Sequence, residues 1–318
     1  MQVLRGKHAS AIHLFKYGVR ILHGLKRNDQ SRFDPQPGGL DDLLPHLEAY
    51  FIRLGIQILQ LVGDVDPQVS IRNALNIEAP IPPEALSFRS LSEARESLEQ
   101  LAYGYMQGPA YNEYYRVLFI SRLQQWATTF NSFLEVRGNA FALAHKRAIA
   151  LLRLQYFHFQ QSLDMVICTQ EDMMRWDAEC PRYKEMIDYA ETAVGIDEET
   201  GELPFVQPSF YLDIGVSNVL FSLIARCRDP IIRRKAIRIL RCATRQEGVW
   251  NTALTAQVAE RLTELEEEGL GEVRKPADIP LSSRSPGVMV FLDPHSKRAT
   301  ICYMRRNASD NYQEILVW

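Results

Sequence analysis

Cysteine is scarce in this chain and badly placed for either of its usual structural jobs. Cys168, Cys180, Cys227, Cys242 and Cys302 are five in number, lie far apart, and never form a Cys-x-x-Cys pair, so neither a disulfide framework nor a zinc cluster is written locally. That usage fits a reducing, intracellular compartment. Long apolar runs are missing too: the most apolar stretch, Val216 to Ala225, is interrupted by Ser217, Asn218 and Ser222 and falls short of the ~18–20 residues a spanning helix needs. No membrane association is expected. There is no excess of charge of either sign, since the net charge is −3 over 318 residues, so bulk electrostatics point to no nucleic-acid coat.

The familiar catalytic signatures are absent as well. Gly215-Val216-Ser217-Asn218-Val219 lacks the closing glycine of a nucleophile elbow, and no phosphate-cradling Gly-Lys-Ser/Thr loop or Gly-x-Gly-x-x-Gly turn occurs. None of His8, His13, His23, His46, His145, His158 and His295 stands in a His-Glu-x-x-His pattern. His158, inside Tyr156-Phe157-His158-Phe159, reads as a hydrogen-bonded core histidine rather than a general base. Tyr103, Tyr105, Tyr111, Tyr114 and Tyr115 form a group that suits half-buried packing better than a ligand pocket. Asp164, Glu171, Asp172 and Asp177 read as solvated helix faces. No catalytic, cofactor-binding or metal-binding residue is therefore named, and no cofactor is expected.

What the chain does have is helical periodicity. Helices are expected at Ser10–Leu25, Leu40–Val62, Ser90–Met106, Glu113–Val136, Asn139–Ile167, Asp177–Val194 and Ser209–Arg228, with Ser90 and Glu93 as a capping box. Residues 1–28 carry six Lys and Arg but no acid, a composition shared with transit peptides. The stripe Ile12, Phe15, Val19 and Leu22 favours a first structural helix instead. Asn28–Gly39, Asp64–Ser90 and Gly195–Pro208 read as turn-rich connections.

The most informative stretch is Cys227 to Leu270. Asp229 before Pro230 is an N-cap followed by a first-turn proline. From there Ile231, Ile232, Ala236, Ile239, Leu240 and Ala243 form an apolar stripe among Arg233, Arg234, Lys235, Arg238, Arg241 and Arg245. A break at Gly248 and Trp250 precedes a second periodic run ending in Glu264, Glu266, Glu267 and Glu268, with Gly269 at C′. Acids in a last turn oppose the helix dipole by ~0.3–1 kcal/mol each. An αα-hairpin would relieve this by setting Arg233, Arg234 and Lys235 near Glu264, Glu267 and Glu268. Internal pairing is expected over an external anion.

The composition changes beyond Glu272. Lys275–Pro286 holds three prolines and three serines, and Val288–Leu292, Ala299–Met304 and Gln313–Trp318 are short runs of strand-forming residues. The expected organisation is a mainly α array of antiparallel helical hairpins at 1–271, a linker at 272–286, and a small β-hairpin or meander at 287–318 packed on the helices.

The order of several segments resembles the regulatory region of fungal binuclear-zinc-cluster transcription factors, the six-cysteine family. The segments are His8–Leu14 with Gly18 and Ile21-Leu22; Phe51-Ile52-Arg53-Leu54-Gly55-Ile56-Gln57; Leu91–Leu98; Leu151–Tyr156; Cys227–Ala236; and Arg245-Gln246-Glu247-Gly248-Val249-Trp250. This resemblance implies a nuclear or nucleocytoplasmic, non-enzymatic regulator of gene expression, for example of a secondary-metabolite pathway. It would act through partners in the transcription machinery, a DNA-binding co-regulator or a small-molecule effector. The family's zinc cluster does not fit the seven residues before the first family-like helix, so no direct DNA binding is expected. Three explanations stay open: a sequence shortened at its start, a regulator working through a partner, or a family scaffold turned to another use. The alternatives to a regulator are an enzyme or ligand-binding protein on the same scaffold, or an inert interaction scaffold.

Overall fold

The computed structural model describes residues 14–25, 40–62, 87–107, 113–165, 170–196, 209–211, 214–243, 245–248, 250–293, 298–304 and 312–317. The fold class is mainly α, with short strands confined to two small sheets among the described residues. The chain divides into two compact units, Arg5–Ala142 with Leu212–Ile214, and Leu143–Tyr211 with Gly215–Trp318 and Met1–Leu4.

In the first unit, α1 is helical at residues 14–25, α2 spans Leu40–Val62, α3 Leu91–Gln107 and α4 Glu113–Ala144. Phe15, Val19 and Leu22 of α1 are buried, as are Ile52 and Ile56 of α2. The Phe15 and Phe51 rings lie 5.4 Å apart, and Gly18 matters because a Cβ there would overlap the Phe51 ring. Arg53 of α2 is buried and donates from Nε to the Glu99 carboxylate of α3 at 2.9 Å. In α4, Trp126 stacks on Phe130 at 4.8 Å and its indole N–H donates to the Ala94 carbonyl at 2.9 Å, which satisfies the polar end of a buried aromatic. Half of the expected capping box at the start of α3 forms, the Glu93 amide donating to Ser90 Oγ at 3.2 Å, while the Glu93 carboxylate accepts from the amide of Arg89, one residue before the cap, at 2.8 Å.

The expected break between Val136 and Asn139 is a kink. Gly138 takes a left-handed φ of 78°, which glycine adopts without steric cost. Helical residues resume at once, and the true separation falls at the turn of His145, after which α5 runs Lys146–Met165.

In the second unit a 3₁₀ helix, Gln170–Glu179, leads into α6, Cys180–Val194, which ends on Gly195 at φ 86°. The helix expected from Asp177 thus starts later, at the proline-permitted first turn of Cys180-Pro181. β1, Ser209–Tyr211, corrects the expectation of a helix from Ser209: these residues pair in parallel with β2, Arg245–Glu247, and only α7, Ser217–Arg226, is helical. The cause is long-range, because Ser-Phe-Tyr is strand-prone and its partner lies beyond α8, Pro230–Cys242. β3, Trp250–Asn251, turns back on β2 and feeds α9, Thr252–Glu267. A 3₁₀ turn at Pro276–Asp278 precedes an antiparallel meander, β4 Gly287–Asp293, β5 Arg298–Met304 and β6 Tyr312–Val317, in the order β4-β5-β6.

The main core of this unit joins Leu154 of α5, Tyr183, Met186 and Ile187 of α6, Leu220 and Leu223 of α7, Ile239 and Leu240 of α8 and Ala259 of α9. A smaller cluster packs Ile301 and Tyr303 of β5 on Leu254, Val258 and Leu262 of α9. The meander therefore has a helix to cover its apolar face, which a free-standing sheet of this size would lack.

Candidate functional site

The stretch from Cys227 begins as its sequence suggests, but α8 ends at Cys242, and Arg245, expected on its basic face, lies in β2. Asp229 Oδ1 accepts from the Ile231 and Ile232 amides at 3.0 Å each, filling two orphan donors of the first turn of α8. The basic face is then distributed between inside and outside. Arg233 is wholly buried and donates through Nε to the Ile224 carbonyl at 3.1 Å and through Nη2 to Glu266 Oε2 at 2.6 Å. Arg228, equally buried, donates to Glu266 Oε1 at 2.8 Å and to the Arg226 carbonyl at 2.6 Å. The Ser285 amide adds a third bond to that carboxylate at 2.7 Å. Burial alone would raise the Glu266 pKa, but Arg233 and Arg228 outweigh it and hold the group below the usual glutamate value.

The hairpin pairing expected from the sequence is present with a different central acid. Arg234 reaches Glu267 at 3.1 Å, but Arg233 takes Glu266, which its position in an acidic run does not distinguish. Lys235 turns instead to Glu191 of α6 at 3.7 Å, and Glu264 pairs along its own helix with Arg261 at 3.0 Å. Arg228, Arg233, Arg234, Lys235 and Arg241 each have a carboxylate within the chain. The charges of Arg233, Arg234 and Arg241 tie α8 to α9, Arg228 joins the same acid from just before α8, and Lys235 ties α8 to α6.

The second segment of the opening stretch has a similar role. Glu247, buried in β2, accepts from the Val216 amide at 3.2 Å and the Ser217 amide at 2.8 Å. It is the acid at the N-terminus of α7, supplied from 30 residues away rather than by a local cap. Its carboxylate occupies the space that a Cβ on Gly215 would need. Trp250 packs its ring 6.1 Å from Phe221.

A third anchor comes from the stretch expected to be a linker. Arg284 is buried; its guanidinium makes two bonds of 2.8 Å to the Asp177 carboxylate and one of 2.9 Å to the Pro276 carbonyl. Asp177 is thus an ion-pair partner rather than a merely solvated carboxylate. The side chains of Asp164, Glu171 and Asp172 lie outside the described residues.

His158 sits in the interior, with Nε2 3.1 Å from the Asn218 amide nitrogen. Burial, assisted by the Arg226 charge, pushes its pKa down to about 3. A neutral imidazole that refuses a proton near pH 7 is a poor acid–base catalyst, in keeping with its reading as a core residue. The tyrosines disperse: Tyr103 is buried against Gly55, Tyr105 and Tyr115 flank Phe119 at 5.4 and 4.9 Å, Tyr114 is exposed, and Tyr111 lies outside the described residues. Among the described residues no group of three or more His, Cys, Asp and Glu is placed to hold a metal, and no helix is long and apolar enough to cross a membrane.

The described surface offers one other feature. Leu14, Tyr17 and Ile21 on α1, and Leu43, Leu47 and Tyr50 on α2, are large apolar side chains left exposed at helical spacing.

No family model matches the chain, and no solved structure matches it. Among curated proteins it is similar to the aspercryptin biosynthesis cluster-specific transcription regulator of Emericella nidulans, with 30% identity over 112 residues. The match covers 34% of this chain and 18% of that regulator.

Proposed function

We propose that this chain is the regulatory part of a transcription regulator, nuclear or nucleocytoplasmic and non-enzymatic, that acts through protein contacts or a small effector. The observation that carries this reading is the similarity to a cluster-specific regulator. The same likeness supports extending this reading to control of a secondary-metabolite pathway. Two physical features support it. Two of the segments that resemble the six-cysteine family, Cys227–Ala236 and Arg245–Trp250, supply helix caps and a buried ion pair. The exposed apolar side chains of α1 and α2 support a protein partner as the means of action, since exposed apolar patches commonly mark such contacts. None of the five cysteines has the spacing of a zinc cluster, which supports action through contacts other than such a cluster's.

The test joins the 318 residues to a heterologous DNA-binding domain in a yeast reporter strain. The fusion is expected to change reporter output several-fold. A Leu43→Ser/Leu47→Ser variant that keeps its unfolding midpoint is expected to lose the change. A reporter that does not respond, or sequence-selective DNA binding by the unfused protein in an electrophoretic shift, overturns the reading.

A further inference from the structure

Three arginines are buried in the second unit, Arg228, Arg233 and Arg284, and among the described residues two carboxylates meet them. Arg284 is matched by Asp177, which gives it both oxygens. Arg228 and Arg233 divide the oxygens of a single acid, Glu266, at 2.8 and 2.6 Å, and the Ser285 amide donates to the same carboxylate at 2.7 Å. The set therefore holds a surplus of one positive charge inside the fold. An arginine does not relieve such a surplus by losing its proton.

The hydrogen bonds show the same imbalance. Arg228 Nε and Arg233 Nη1 are buried donors with no acceptor among the described residues. The other nitrogens of the two guanidiniums are occupied, those of Arg228 by Glu266 and the Arg226 carbonyl, those of Arg233 by Glu266 and the Ile224 carbonyl. Because both guanidiniums are anchored on one carboxylate, the two idle donors belong to one junction, where the link between α7 and α8 meets the last turn of α9. Neighbouring acids along these elements are committed elsewhere: Glu267 pairs with Arg234, and Asp229 caps the first amides of α8. Burial, with the Arg233 and Arg284 charges, lowers the Arg228 pKa even beside Glu266. Charge this deep is normally paired, and buried donors normally find acceptors.

We infer that the Arg228–Arg233 junction is a binding site for one small monovalent anion of the halide class, with Arg228 Nε and Arg233 Nη1 as its donors. The ligand's chemistry follows from the site. Guanidinium N–H groups only donate, so the occupant must only accept. A water molecule brings two protons that need acceptors of their own, and it leaves the charge as it was. One negative charge balances the set, whereas a divalent oxyanion would overshoot it. Protein interiors are close-packed, which favours a compact ion over an organic acid. The anion binds the folded chain and not the unfolded one, since the junction joins residues 38 and 33 positions apart that only folding brings together. It therefore acts as a stabilising ligand. The inference does not depend on the regulatory reading.

The experiment takes the purified full chain at constant ionic strength and replaces sodium gluconate stepwise by sodium chloride, reading the thermal midpoint and the linewidth of the chloride nuclear resonance. The midpoint is expected to rise by several degrees as chloride occupies the site. The chloride resonance is expected to broaden in the presence of the folded chain and to narrow again when bromide competes. Arg228→Met, which leaves Arg233 and Glu266 as a balanced pair, is expected to lose both responses. Glu266→Gln, which doubles the surplus, is expected to melt lower in gluconate yet to gain more from chloride than the unsubstituted chain does. A midpoint that stays fixed as chloride replaces gluconate, with no broadening of the resonance, overturns the proposal. An equal rise with sulfate, which marks a general salt effect, overturns it too, and so does an undiminished chloride response in Arg228→Met.

Discussion

At the scale of the residue, the deciding interaction is one carboxylate shared by two guanidiniums. Two buried cations against one anion leave Glu266 indispensable once Arg228 and Arg233 are in place. Removing one member of such a set strands buried charge, which costs ~3–5 kcal/mol, whereas replacing every member by apolar residues of similar volume is often neutral. Glu266→Leu is therefore expected to lose stability of that order in urea unfolding. The triple variant Arg228→Leu/Arg233→Met/Glu266→Leu is expected to lose less than the single one. If the triple variant is the weaker protein, the set contributes net stability beyond its own desolvation. The periodicity of α8 marks Arg233 as polar-faced, and nothing in a single sequence signals that it points inward. The decisive acid lies 33 residues on, the first of three consecutive glutamates.

At the scale of the element, helix starts were legible where the cap is local and illegible where it is remote. Asp229-Pro230 announces α8, and Ser90 with Glu93 announces α3, since donor and acceptor lie within one turn. α7 has no local cap; Glu247 provides it from another strand, and the same long-range pairing converts Ser209–Tyr211 from expected helix to strand. Gly215→Ala tests this joint. A Cβ there meets the Glu247 carboxylate, and a displaced acid leaves the Val216 and Ser217 amides unsatisfied at a cost of ~1–3 kcal/mol. Hydrogen exchange at those two amides is expected to accelerate more than at the α8 amides, whose Asp229 cap is untouched. Equal acceleration in both helices would place the strain elsewhere. The meander was the most legible element, its strands being set off by alternating Val, Ile and Tyr runs, although the helix it packs on was not written in its own residues.

At the scale of the whole molecule, buried titratable groups shape stability against pH. His158 has a folded pKa of about 3 against an ordinary 6.5, so between those values the unfolded chain binds a proton that the folded chain refuses. Its contribution is complete above the unfolded value and falls as pH drops, at up to about 1.4 kcal/mol per pH unit. Glu266, lowered in the fold, adds its loss only below the ordinary glutamate range. Urea midpoints are expected to fall between pH 7.5 and 5.5 in the unsubstituted protein and to fall less in His158→Gln; parallel curves would remove His158 as the cause. The fold class was readable from periodicity because most helices bury a continuous stripe. The pairing of α8 with the acidic end of α9 was readable in outline, but the Glu247 cap and the Arg284–Asp177 pair were not, since each joins residues that only the tertiary structure makes neighbours.

The pairing of Arg284 with Asp177 spans 107 positions of sequence. A ribosome adding ~5–20 residues per second makes the acid roughly 5–20 s before its cation exists. During that interval α6 to α9 can collapse around their shared core, with Trp176 of the 3₁₀ helix in it, but Asp177 of that helix still lacks its ionic partner. The last stretch before the meander is thus the latch of this unit in time as well as in space: it closes a body whose other parts were synthesised first.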